Sequence, residues 1–173
     1  MALVSTPLNI QPNLSRIIPS IMQPMIGEIC RQVSFSYGDE LVLDFGELTP
    51  YTHPQLADLS KGSWQLTTQA TPWRVKQDDQ VLVATATSDT EEEITQAKIL
   101  VKQLENKKLL SLFVEKNTIH LILNFEDEYQ LIIEPDLTND SGLAYWELLM
   151  PTEQILSIGP GYFWSCKSVY DRS

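Results

Sequence analysis

The chain states one short pattern twice. Residues Leu41-Val42-Leu43-Asp44-Phe45 return as Leu121-Ile122-Leu123-Asn124-Phe125, and Trp64-Gln65-Leu66 returns as Trp146-Glu147-Leu148. The offsets are nearly equal (121 − 41 = 80 and 146 − 64 = 82) and the order is kept. Such echoes predict a duplicated unit of about eighty residues, longer than the usual solenoid periods. A unit of that size is marginal by itself, because few residues bury too little surface. The expected fold is therefore a single domain over residues 1–173, with repeat one at about 13–87 and repeat two at about 88–170. The expected class is α+β, two pseudo-symmetric repeats packed about a twofold axis, each a helical segment plus an antiparallel β-meander.

Local patterns place the elements. Leu14, Ile17, Ile18, Ile21, Met22 and Met25 recur at helical spacing. Pro19 and Pro24 interrupt them, because each lacks an amide donor and crowds the preceding turn. A short, kinked or partly 3₁₀ segment follows. Leu41, Leu43 and Phe45 alternate with Glu40, Val42 and Asp44, the pattern of a half-buried antiparallel strand. Residues 46–62 carry Pro50, Pro54 and Gly62 and read as a long loop. Strands are expected near 63–69, 72–76 and 81–87, with Asp78-Asp79 as a turn. Ser88 with Glu91 reads as a capping box for a helix ending near Asn106, whose apolar stripe is Ile94, Ala97, Val101 and Leu104. Strands are expected again at 109–114, 118–124, 129–134, 144–149, 155–158 and 162–169. The segment Leu3–Ile10 is apolar and extended, suited to covering a sheet edge.

Composition bounds the function. There are 23 acidic and 12 basic residues, a net charge of −11, which argues against a nucleic-acid partner. An acidic surface favours solubility and attracts a basic partner. No apolar run reaches the length of a membrane span, and the N-terminus has no basic stretch before an apolar core. Cys30 and Cys166 match no metal or redox spacing. They read as reduced thiols of a cytoplasmic protein, with a disulfide between them left open.

The pattern resembles a family of small, uncharacterised, β-rich bacterial proteins built from two repeats. The resemblance lies in Leu104 to Leu112, in Leu121 to Phe125 with Glu126-Asp127, and in Trp146-Glu147-Leu148 followed by Gly159-Pro160-Gly161. It covers the chain from about residue 26. Some members look like immunity proteins of bacterial toxin systems, which implies binding of another protein. Glu128 departs from the pattern, standing where a turn glycine is common, as do Pro19 and Pro24 in the first helical segment.

No catalytic constellation stands out. His53 lies in the long loop and His120 on a strand, and no glycine-flanked serine elbow accompanies them. Glu91-Glu92-Glu93 fits stabilisation of a helix N-terminus. Glu126-Asp127-Glu128 fits a solvated turn and lacks the glycine-centred loop of a calcium site. No metal and no cofactor is expected. Trp64 and Trp146 read as core. Tyr51, His53, Trp73 and Trp164 are the expected ligand or partner surface, since long loops and closing hairpins carry function and aromatics make binding hot spots. The leading expectation is a non-enzymatic protein-interaction module, immunity-like, with another protein, basic in character, as partner and a homodimer as a further option. The alternative is a small-molecule or sugar-binding protein with a pocket between the repeats. A hydrolase using scattered carboxylates is a third.

Overall fold

In the computed structural model, residues 13–138 and 142–171 are described. Helix α1 (Leu14–Met22) contains Pro19 and continues as a 3₁₀ turn over Gln23–Met25. Its apolar stripe, Leu14, Ile18, Met22 and Met25, is fully buried. Strands β1 (Cys30–Ser36) and β2 (Glu40–Phe45) form a hairpin. A flap follows, made of the two-residue strands β3 (Thr49–Pro50) and β4 (Ser60–Lys61). Next come β5 (Trp64–Thr68) and the hairpin β6 (Trp73–Gln77) and β7 (Gln80–Ala84). Its turn residues Asp78 and Asp79 both take positive φ, 52° and 65°, which Asp tolerates better than most residues. Helix α2 (Glu91–Val101) runs into a 3₁₀ turn over Lys102–Leu104. The rest is β: β8 (Leu109–Val114), β9 (Leu121–Phe125), β10 (Tyr129–Ile133), β11 (Trp146–Leu149), β12 (Gln154–Gly159) and β13 (Phe163–Ser168).

Two large antiparallel sheets result. One has the order β1-β2-β5-β11-β12-β13, the other β7-β6-β10-β9-β8. Both feed one core, in which the Phe45 ring of β2 stacks on the Phe125 ring of β9 with centroids 6.1 Å apart. Leu41, Leu43, Phe45, Leu121, Leu123 and Phe125 are all buried.

The order of strands corrects the expected fold class. The protein is mostly β, 43% strand against 26% helical, with three antiparallel sheets and only two α-helices among the described residues; it is not a balanced α+β fold of helical segment plus meander in each repeat. The strands of each half are divided between the sheets. Half one places β1, β2 and β5 in the six-stranded sheet and sends β6 and β7 to the other. Half two places β8, β9 and β10 in the five-stranded sheet and sends β11, β12 and β13 across. A meander would leave β5 and β10 as exposed edges; the exchange pairs β5 with β11 and β10 with β6.

The exchange also corrects the Trp-x-Leu match. Cross-strand register pairs Trp64 with Phe45 and Trp146 with Thr68. In the other sheet Trp73 stands opposite Ile133, the place that Trp146 takes opposite Thr68. Trp146 therefore corresponds to Trp73, not to Trp64.

The halves touch through reciprocal backbone bonds. Gly27 N–H donates to the Leu109 carbonyl (2.8 Å) and Asn106 N–H to that of Cys30 (2.6 Å). Leu109 N–H donates to Glu28 and Cys30 N–H to Lys107, both at 2.9 Å, around the bridge Ile29–Lys108. Gly27 and Asn106 turn the chain here with φ of 97° and 71°, a region open to Gly and, with less ease, to Asn. Thr90, rather than Ser88, caps α2: its Oγ1 accepts from Glu93 N–H at 3.1 Å, while Ser88 Oγ donates to the Ala84 carbonyl. The expected edge-covering role of Leu3–Ile10 falls outside the described residues.

Candidate functional site

Strand β2 is buried on both faces, so Asp44 is covered as well as Leu43 and Phe45. The flap does this. Gly62 N–H donates to Asp44 Oδ1 at 2.9 Å, and Gln65 Nε2 donates to the same oxygen at 2.9 Å and to the Tyr51 hydroxyl at 3.2 Å. The Lys61 ammonium sits 5.6 Å from the Tyr51 ring centroid. Asp44 Oδ2 has no hydrogen-bond partner among the described residues.

Burial therefore holds the Asp44 carboxyl above the ordinary carboxylate range, against the opposing hydrogen bonds from Gly62 and Gln65 and the charge of Lys61. The native chain keeps a proton that the unfolded chain releases near its ordinary value of 3.8. Stability is then fully present below that value and is lost as pH rises through the raised one. Asp44→Asn removes the ionisation. Thermal melts at pH 4, 5.5 and 7 should show the variant gaining on the wild type as pH rises; a wild type that gains on the variant over that window would contradict this account.

Beside the flap an open cavity of about 700 Å³ crosses the seam between β5 and β11, where the halves meet. Thr67 and Glu147 line it, and Ser157 continues their cross-strand row on β12. Glu147 accepts from Gln69 Nε2 and from Ser157 Oγ, each at 2.7 Å. This carboxylate is positioned and supplied with donors. Among the described residues, no second carboxylate or histidine is bonded to it for acid–base work. At the far end of the cavity, Glu153 beside Tyr170 pushes that phenol's pKa up.

The four lateral edges of the two large sheets differ. The first half of the β1 edge is bonded to the chain: Glu105 Oε2 accepts from Val33 N–H at 2.8 Å, and Cys30 bonds to residues 106 and 107. Strand β8 packs against α1, and its edge is bonded at Leu109 to residues 27 and 28. Helix α2 packs against β7. Strand β13 ends its sheet with no further strand beside it among the described residues. Phe163 at its start is 62% exposed, Leu143 beside it 50% and Tyr170 just beyond it 77%. Leu143 and Phe163 line one depression.

The residues expected to form a surface fall in separate places. Tyr51 is half-buried in the flap, bonded to Gln65. His53 is exposed on the same flap, its Nδ1 accepting from Gln55 N–H at 3.2 Å. Trp73 is buried on β6, its backbone held by the Thr85 hydroxyl on both sides. Trp164 lies half-buried on β13 opposite Ile158, packed against the core. Sequence reasoning missed Asp44, Gly62, Glu147 and Phe163. The first two were hidden by reading β2 as half-exposed, which the flap overrides.

Cys30 and Cys166 are free thiols. Burial pushes the Cys30 thiol up to about 12, so it is not a ready nucleophile. Among the described residues, no group of three or more His, Cys, Asp or Glu side chains is placed to hold a metal ion, and no helix is long and apolar enough to cross a membrane. No family model, curated protein or solved structure matches the chain.

Proposed function

We propose that this chain is a non-enzymatic, cytoplasmic protein-binding module, immunity-like in character, that takes an extended segment of a partner protein along strand β13. The observation that carries this reading is the contrast among sheet edges: β1 and β8 are bonded to the rest of the chain at one end, β7 packs against α2, and β13 has no further strand beside it among the described residues. An open edge is a ready template for an added strand. The exposed Phe163, Leu143 and Tyr170 supply apolar contacts beside it. The net charge of −11 favours a basic partner through long-range attraction. Free thiols at both cysteines accord with a reducing compartment. The immunity-like character rests on the resemblance in residues 104–112, 121–127, 146–148 and 159–161.

A second reading has its own observation. The polar cavity across the β5–β11 seam has the size of a small-molecule site, which favours a sugar-like ligand between the halves. Glu147→Gln separates the two, weakening a ligand of the cavity and leaving strand pairing at β13 unchanged.

The test of the leading reading is comparative capture. The wild type, the Phe163→Asp/Tyr170→Asp double variant and Ile99→Asp, whose residue is 53% exposed on α2, are used as baits. One protein retained stoichiometrically by wild type and Ile99→Asp, and at least tenfold less by the double variant, is expected. Equal retention by all three would overturn the placement of the surface.

A further inference from the structure

The two sheets carry equivalent polar steps on their outer faces, and only one of them is covered. On the six-stranded sheet Asp44 stands opposite Gln65 and Gln65 Nε2 donates to Asp44 Oδ1 at 2.9 Å. On the five-stranded sheet Asn124 stands opposite Gln130 and Gln130 Nε2 donates to Asn124 Oδ1 at 2.7 Å. The next strands agree in register: Gln32 faces Asp44 and Ser111 faces Asn124, each directly after a β-bulge.

The difference is the flap. Between β2 and β5 the chain inserts residues 46–63, and the flap lays Gly62 on the step so closely that a Cβ there would sit 2.4 Å from the Phe45 carbonyl oxygen. Its N–H gives Asp44 Oδ1 a second hydrogen bond. Asp44 is 1% exposed as a result. Between β9 and β10 the link is only the turn Glu126–Glu128. Asn124 is left half-exposed in a depression of about 230 Å³ lined by Lys76, Leu110, Ser111, Asn124, Phe125 and Gln130. Asn124 Nδ2 is engaged by Ser111 Oγ at 3.0 Å, whereas its Oδ1 receives one bond and has two lone pairs. The position that Gly62 N–H fills on one sheet is therefore open on the other.

The rim indicates the charge of the occupant. Asp78 N–H donates to the Glu128 carbonyl at 3.3 Å, which joins two acidic turns. Asp79 and Glu128 also line the depression, and Lys107 is paired with Asp127 at 2.5 Å. Lys76 is the cation in the depression itself. The flap's own docking stretch, Lys61-Gly62, joins a basic side chain to a glycine.

We propose that this open step is a second protein-docking site, which takes a basic, glycine-bearing extended segment of a partner and seats the glycine backbone on Phe125 with its N–H on Asn124 Oδ1. The site lies on the other sheet from β13 and stands or falls independently of that edge.

The probe is a blocked synthetic peptide with the sequence of residues 59–64, Leu-Ser-Lys-Gly-Ser-Trp, titrated into the isotopically labelled full-length chain. Amide shifts are expected at Asn124, Gln130 and Phe125, including both side-chain amides. Alanine in place of the peptide's glycine should weaken binding at least tenfold, and glutamate in place of its lysine should weaken it with the difference shrinking in high salt. Ser111→Arg, at an exposed position on the rim, should abolish the shifts with an unchanged melting temperature. The peptide variants probe the same contact without any change to the protein. No shifts at millimolar peptide would overturn the proposal, as would equal binding of the alanine peptide, or shifts confined to β13 or to Asp44 and the flap's own seat.

Discussion

Gly62→Ala should destabilise the chain by about 3 kcal/mol, the combined scale of overpacking and of losing a hydrogen bond to a buried carboxylate. A Cβ at this position would lie 2.4 Å from the Phe45 carbonyl oxygen and 2.7 Å from its nitrogen. Both are backbone atoms of a central strand, and β2 is fixed on either side by β1 and β5. The strand has no room to retreat, so the flap must lift. Lifting withdraws the N–H from Asp44 Oδ1 and exposes the carboxylate. Two consequences oppose the loss: the flap regains conformational freedom, and Asp44 becomes hydrated. Neither restores the contact over β2. Urea unfolding followed by circular dichroism measures the change. A loss under about 0.5 kcal/mol would show that the flap is not seated over β2.

The same geometry ties architecture to function. Exchange of hairpins between the halves pairs β5 and β10, the strands that a meander would leave open. It also carries β13 into the six-stranded sheet as an extra strand without a counterpart in the five-stranded one, and that strand provides the open edge. The flap exists in one half only, and its absence from the other leaves Asn124 accessible. Both proposed docking surfaces are thus places where the two halves fail to match.

Much of the local structure was legible. Alternation in Leu41–Phe45 and Leu121–Phe125 marked strands whose inward side chains are buried, because period two maps directly onto the two faces of a strand. The prolines of residues 14–26 marked a short helix passing into a 3₁₀ turn. Strand assignment to sheets was not legible. Pairing partners are set by packing across the whole core, and the Trp-x-Leu echo misled because two length differences nearly cancel. The flap lengthens half one between β2 and β5, and residues 134–145 lengthen half two between β10 and β11. Trp64 and Trp146 consequently share an offset with β2 and β9 without sharing a position. The site was hidden for a related reason. Asp44 looks like an outward residue by alternation, and only the flap's return over β2 buries it. Trp73, expected at the surface, is enclosed because its hairpin joins the other half's sheet.

The most direct test of the exchange is to divide the chain after Ser88 and study residues 1–88 and 89–173 apart and together. Within residues 1–88, β5 lacks β11 and β6 lacks β10, so most of the apolar surface of both hairpins is left in water. A fragment of this size has little surface to bury in compensation. Each half alone should give poorly dispersed amide spectra and no cooperative melt. Their equimolar mixture should recover dispersed spectra and a single cooperative transition, because all strand pairings are restored without the covalent link. Either half folding cooperatively by itself would mean that its strands pair within the repeat, and the exchanged architecture would be wrong.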